Sequence, residues 1–145
     1  MKKRILLVDD EKDFVEALAE RLRNRDFDVT TAFTGEEALK TLNEYNFDVA
    51  IVDVQMPGID GIQTLKEIKK VKPLTEVLML TGHGTVEIAI EGMKHGAYDF
   101  LMKPSEMATL LEKISGACAR KMDQEERIHK AMAEKLATSP LSVLE

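Results

Sequence analysis

Three carboxylates, one hydroxyl and one ammonium occur in the same situation, each directly behind a short apolar run. Asp9 and Asp10 follow residues 5–8, Asp53 follows 49–52, Thr81 follows 77–80 and Lys103 follows 99–102. Singly, each is ordinary: paired aspartates behind a strand serve as a solvated turn or cap, a threonine before a glycine caps a helix, and a lysine sits on the surface. Brought to one edge of a domain, neighbouring carboxylates raise one another's pKa unless a cation stands between them. A hard divalent ion answers that need, and oxygen-only ligands favour Mg2+ over zinc or copper. A carboxylate, Mg2+, a hydroxyl and a lysine suit phosphoryl transfer onto the carboxylate. The metal and the ammonium would neutralise two equatorial phosphoryl oxygens, Thr81 would donate to the third, and an aspartate would supply the in-line nucleophile. Asp53 stands alone and is the natural nucleophile, whereas Asp9 and Asp10 form a pair suited to holding the metal.

The elements that must position these groups alternate along the chain. The run 5–8 ends abruptly in acid and has the character of a buried strand. From Lys12 to Arg25, Phe14, Val15, Leu18 and Leu22 recur at spacings of three and four, the pattern of one buried helical face. Residues 29–32 form a short strand, and Thr34 caps a helix with Glu37 at its third position that buries Ala38, Leu39 and Leu42. Residues 49–52 are a strand, Met56-Pro57-Gly58 a turn, and Ile62, Leu65 and Ile68 line the next helix. Strands at 77–80 and 99–102 bracket a helix from about Thr85 to Lys94. Strands separated by helices lie parallel, with right-handed crossovers, so helices cover both faces of an open sheet. In such doubly wound α/β domains ligands bind beyond the carboxyl ends of the strands, where the five residues above lie.

The composition agrees with a single domain carrying a short appendage: 145 residues, 44% hydrophobic and 32% charged, with 26 acidic and 20 basic side chains. The net charge of −6 and the lack of a Lys/Arg stripe interleaved with aromatics argue against direct nucleic-acid binding. A single cysteine, Cys118, excludes an internal disulfide or a thiolate metal site and suits a reducing, cytoplasmic setting. No apolar run approaches the roughly 20 residues of a membrane helix. His83, His95 and His129 show no metal-ligand spacing.

Taken together, Leu7-Val8-Asp9-Asp10-Glu11, the stretch from Val52 to Gly61 around Asp53, Leu80-Thr81-Gly82-His83-Gly84 and Lys103-Pro104 resemble the receiver domains of bacterial two-component response regulators, over about residues 3–118. The stretch from Thr81 to Pro104, with Gly96-Ala97-Tyr98-Asp99-Phe100, is most similar to receivers of nitrogen-regulation-type activators of σ54-dependent transcription. The resemblance implies a flavodoxin-like sheet with strand order 2-1-3-4-5 and an extended C-terminal helix. It implies that Asp53 accepts a phosphoryl group from a sensor histidine kinase, and that Asp10, Asp53 and the backbone carbonyl of Gln55 ligate Mg2+, with Asp9 acting through water. Lys103 would pair with the phosphoryl group. Thr81 would move toward it and Phe100 would turn inward behind it, changing the face formed by the fourth helix, fifth strand and fifth helix. The switch position often holds tyrosine, and Phe100 lacks the hydroxyl. Lys103-Pro104 is a natural place for a cis peptide that aims the lysine into the site. Gln55 and His83 would flank the phosphoryl group and influence how water reaches it.

A receiver of residues 1–120 leaves 121–145 as a helical extension and flexible tail, with no room for an output domain. Helix formers run without proline from Glu106 to about Leu136, with Ile128, Met132 and Leu136 four residues apart, while Lys121 and Glu125 interrupt the seam. Thr138 to Glu145, with Ser139-Pro140, ends the helix. A homodimer could form through that helix or through the fourth helix, fifth strand and fifth helix. Three functions compete. The first is a phosphoryl-accepting switch that assists its own phosphorylation and dephosphorylation and acts on a downstream protein target or output domain. The second is a phosphatase or phosphotransferase with an aspartyl intermediate, which commonly carries its nucleophile after the first strand in an Asp-x-Asp pattern; here position 11 is Glu. The third is a nucleotide or flavin module, disfavoured by the missing glycine-rich phosphate loop.

Overall fold

The apolar runs are strands because both faces of the sheet are covered, so successive side chains of one strand enter two different cores. In the computed structural model, which describes residues 1–56, 58–82 and 86–138, the order of elements is β1 (Arg4–Val8), α1 (Lys12–Arg23), β2 (Asp28–Ala32), α2 (Gly35–Glu44), β3 (Val49–Asp53), α3 (Gly61–Val71), β4 (Glu76–Thr81), α4 (Val86–Lys94), β5 (Asp99–Met102) and α5 (Met107–Thr138). The five strands form one parallel sheet in the order β2-β1-β3-β4-β5, as expected. Ile5, Leu7, Ile51, Leu78 and Leu80 point to one face, against Val15, Leu18 and Leu22 of α1 and Leu110, Ile114 and Ala117 of α5. Leu6, Val8, Ala50, Val52 and Met79 point to the other, against Ala38 and Leu42 of α2 and Leu65 and Ile68 of α3. Each fully buried Leu or Ile contributes about 1.5 to 3 kcal/mol by leaving water.

The register aligns the strand ends. Val8 pairs with Ala32 and Val52, Asp53 with Leu80, and Thr81 with Met102, so Asp53 and Thr81, which end β3 and β4 and do not follow them as expected, share one edge with the residues just past β1 and β5. Helix starts are fastened locally: Thr34 Oγ1 accepts the Glu37 N–H at 3.1 Å, while a Glu37 carboxylate oxygen accepts the N–H of Phe33, the residue before the cap, at 3.3 Å. Asp60 caps α3 by accepting the Gln63 N–H at 2.8 Å.

Some boundaries differ from expectation. The first helix ends at Arg23 and not Arg25, because Asp26 adopts a left-handed backbone (φ 71°) that no helix continues. Leu39 and Ile62 are only partly buried, on the margins of their helices. Pro57 of the expected turn, His83, Gly84, Thr85 at the expected start of the fourth helix, and residues 139–145 of the tail lie outside the described residues.

The largest surprise at this level is Glu76. It belongs to β4 and is 1% exposed, at the sheet edge opposite the aspartates. Lys69 of α3 reaches it at 3.2 Å, and Arg120 of α5 forms an ion pair with its other oxygen. Arg120 also stands over the Tyr98 ring, 4.7 Å from its centroid, and the next residue, Lys121, lies 3.3 Å from Asp48. The fifth helix is thus fastened to the sheet at 120–121. Beyond that point Met122, Ile128, Met132 and Leu136 are exposed. At 32 residues the whole helix is about 48 Å long. Among the described residues no helix is long and apolar enough to cross a membrane.

Candidate functional site

The carboxyl edge of the sheet gathers the acids. Asp9, behind β1, is wholly buried; Asp10 beside it is exposed; Asp53, the last residue of β3, is 5% exposed. One carboxylate oxygen from each lies within 4.8 Å of the others. Asp9 is held by its Oδ1, which accepts the Glu11 N–H at 2.9 Å, and Asp53 by its Oδ1, which accepts the Gln55 N–H at 3.3 Å. Gly61 lets α3 start hard against the end of β3: a Cβ there would collide with the Asp53 carbonyl and stand 2.6 Å from Val54 Cα.

Lys103 enters this cluster from β5, its bond to Pro104 being cis. Its ammonium is 2.5 Å from Asp9 Oδ2, 3.0 Å from Glu11 Oε1 and 3.6 Å from Asp53 Oδ2, and it lies 4.5 Å from the centre of the Phe14 ring. Its backbone N–H donates to the Thr81 carbonyl at 2.7 Å, which ties the ends of β4 and β5 together. Thr81 is buried at the same edge, 2% exposed. Phe100 lies apart from the acids. It is 37% exposed on an apolar recess with Val86, Ala89, Ile90 and Met93, so the aromatic stands outward in this structure.

The electrostatics follow from this crowding. Burial, then the negative charge of Asp9, pushes the Asp53 carboxyl up to about 6; Lys103 and the Gln55 N–H oppose that, and Asp10 adds to it. Burial alone would depress Lys103, but its hydrogen bonds to Asp9 and Glu11 and the charge of Asp53 hold its ammonium above the ordinary range. One ammonium therefore serves three carboxylates, two of them nearly inaccessible to water, and the exposed Asp10 leaves an acidic opening beside them. Three converging carboxylates, hard oxygen donors only, fit a hard divalent cation such as Mg2+.

The structure thus brings Asp9, Asp10, Asp53 and Lys103 into one constellation, with Thr81 beside them and Gln55 attached to Asp53 through its backbone. His83 falls outside the described residues. Glu11 and Phe14 complete the surroundings of Lys103 and were not foreseen as site residues. Glu11 follows the acid pair directly and stands at the N-cap of α1, yet its side chain caps nothing and goes to Lys103, 92 residues away. Phe14 has the helical spacing of a core residue and serves partly as one.

Known proteins share the sequence pattern and the fold. Residues 5–115 match the family model described as the response regulator receiver domain. The transcriptional regulatory protein ZraR of Salmonella typhimurium is 40% identical over 115 residues, covering 79% of this chain and 26% of that protein, and a putative NtrX-like response regulator of Rickettsia conorii is 36% identical over 116 residues, covering 79% and 24%. The chain thus spans about a quarter of the length of the curated relatives it matches. Among solved structures, a CheY-like receiver domain protein from Methanospirillum hungatei superposes with a TM-score of 0.82 at 28% identity, covering 86% of this chain and 99% of that one. The beryllofluoride-activated NtrC4 receiver domain dimer superposes at 0.77 with 37% identity, covering 81% and 98%. The chain belongs to the receiver domain family of two-component response regulators, whose domains are signalling switches.

Proposed function

We propose that Asp53 is the phosphoryl acceptor of this receiver, taking the group from a phosphohistidine of a sensor histidine kinase. The observation that carries the reading is the position of Asp53 at the end of β3, its oxygen within 4.8 Å of those of two other acids and 3.6 Å from the Lys103 ammonium. Asp53 Oδ forms the bond to phosphorus as the bond to the histidine nitrogen breaks. Asp10, Asp53 and the carbonyl of Gln55 would hold Mg2+, with Asp9 acting through water, and the metal when bound supplies charge neutralisation at the phosphoryl oxygens. Lys103 meets a phosphoryl oxygen from the other side, and Thr81 follows with its hydroxyl.

Loss of the Asp53 charge frees Lys103 to pair with the phosphoryl group, and the movement of Thr81 makes room behind it for Phe100 to turn inward. The face of α4, β5 and α5 then changes, for a downstream target or an output domain to detect. Residues 1–120 form the receiver, the part of 121–145 that is described, through Thr138, continues α5 as its helical extension, and the protein acts in the cytoplasm. Dimers would form through the α4, β5 and α5 face or through the extension; the NtrC4 receiver, similar in fold, is a dimer when activated by beryllofluoride. The phosphatase alternative is disfavoured because the isolated aspartate follows the third strand and position 11 is glutamate.

The test is labelling with acetyl phosphate. With Mg2+ the chain takes up one phosphoryl group, and Asp53→Asn takes up none. Multiple turnover of an external phosphoester, or full labelling of Asp53→Asn, would overturn the reading.

A further inference from the structure

The site described above includes a backbone carbonyl on the loop between β3 and α3, and a loop holds a carbonyl in place only if something holds the loop. At its start Val54 donates to the Leu80 carbonyl at 3.0 Å, and at its end Gly61 donates to the Val54 carbonyl at 2.9 Å. Between them, the Ile59 N–H donates to Glu36 Oε1 at 2.9 Å, a bond across 23 residues to the first turn of α2. The glutamate next to it, Glu37, bonds back to the Phe33 N–H, whereas the Glu36 carboxyl, which its own backbone N–H and the Thr34 hydroxyl also approach, extends to Ile59 on the other element.

Glu36 also lies beside the glycine at 58, where the positive φ is what calls for glycine. That residue has φ +79°, and a Cβ built on it would stand 2.8 Å from Glu36 Oε1. The carboxylate therefore lies over the bare backbone of Gly58 and takes the next N–H, as a charge-assisted hydrogen bond that is stronger than a neutral one. The bond from Ile59, and after it Glu36's own backbone N–H, hold this carboxyl below its usual range, so it is ionised at neutral pH. A helix-dipole role alone would require no partner on another element.

We propose that Glu36 is a positioning residue for the metal site: by fastening Gly58 and Ile59 to α2, it fixes the loop that presents the Gln55 carbonyl four residues earlier. This rests on the reading of Gln55 as a Mg2+ ligand. Glu36 touches neither metal nor phosphoryl group, so its effect is on affinity and not on the transfer step.

The experiment compares wild type, Glu36→Ala and Glu36→Gln as full chains by three measurements: amide exchange at Ile59 without metal, Mg2+ affinity by calorimetry, and acetyl phosphate labelling against Mg2+ concentration. Glu36→Ala speeds Ile59 exchange and weakens Mg2+ by about tenfold, the lower end of what outer-shell partners contribute. It raises the Mg2+ needed for half-maximal labelling and leaves the saturated rate near that of wild type. Glu36→Gln keeps an acceptor oxygen and retains affinity to within about threefold of wild type. Unchanged Mg2+ affinity in Glu36→Ala overturns the proposal, as does a Glu36→Gln variant as weak as Glu36→Ala. Failure of the wild-type chain itself to bind Mg2+ overturns the underlying metal-site reading as well, and is distinguished by appearing in the control.

Discussion

Lys103 stands closer to Asp9 than to the aspartate that ends the third strand: its ammonium is 2.5 Å from Asp9 Oδ2 and 3.6 Å from Asp53 Oδ2. Asp9 is wholly buried, so without metal Lys103 is the cation set against its carboxylate.

Replacing Lys103 with Ala should therefore destabilise the metal-free chain by about 3 kcal/mol, since a buried charge loses its partner. Mg2+ should recover a large part of that loss, because the same acids then share a cation. Urea unfolding with chelator and with excess Mg2+ measures both, and an equal loss in the two conditions would count against the metal site. Phosphorylated Lys103→Ala should also fail to change the α4 and β5 surface, which amide exchange across Ile90 and Met93 reports.

Asp53→Asn should stabilise the metal-free protein at neutral pH. The folded chain holds the Asp53 proton up to a pH of about 6, against the 3.8 of an ordinary aspartate, so ionising it costs folding free energy. The stabilisation that proton provides is fully present below pH about 4 and is lost as pH rises through about 6. The advantage of Asn over Asp should thus be about 1 to 3 kcal/mol above pH 6 and vanish in acid. A pH-independent difference in thermal unfolding would refute it.

Glu76 and Arg120 should couple. Arg120→Met is expected to cost about 1 to 3 kcal/mol, because Glu76 is 1% exposed and, among the described residues, keeps only Lys69 as a cationic partner. A double-mutant cycle with Glu76→Gln should show a coupling of about 1 kcal/mol or more, and additivity would dismiss the pair as ornamental.

Truncation after Glu125 removes exposed Ile128, Met132 and Leu136 but keeps the ties of Lys121 to Asp48 and Glu125. If the extension carries a dimer, light scattering will show the full chain heavier than the truncated one. If the α4 and β5 face carries it, mass will instead rise with beryllofluoride in both chains. A mass indifferent to both changes would leave a monomer.

The sheet was legible because burial on both faces turns the central strands β1, β3 and β4 into nearly unbroken apolar runs, with a polar residue at or just past the end at Asp9, Asp53 and Thr81, while the edge strands β2 and β5 carry polar residues of their own. Ion pairs were not legible. Glu76 beside Thr75 has the character of a loop residue, and its partners lie 7 and 44 residues away, beyond any local pattern. Glu11 was hidden for the same reason, since an acid at a helix start needs no partner behind β5 to explain it. Asp26 ended the first helix through a backbone angle that its side chain does not announce.

The fastening of the fifth helix at Arg120 and Lys121 has a geographic consequence. Glu76 and Asp48 mark the edge where β4 and β3 begin, whereas residue 53 lies where β3 finishes, about 17 Å away for a five-residue strand. Beyond residue 121 the rod therefore departs from the rim far from residue 53, with the Tyr98 ring against Arg120 where the last strand starts.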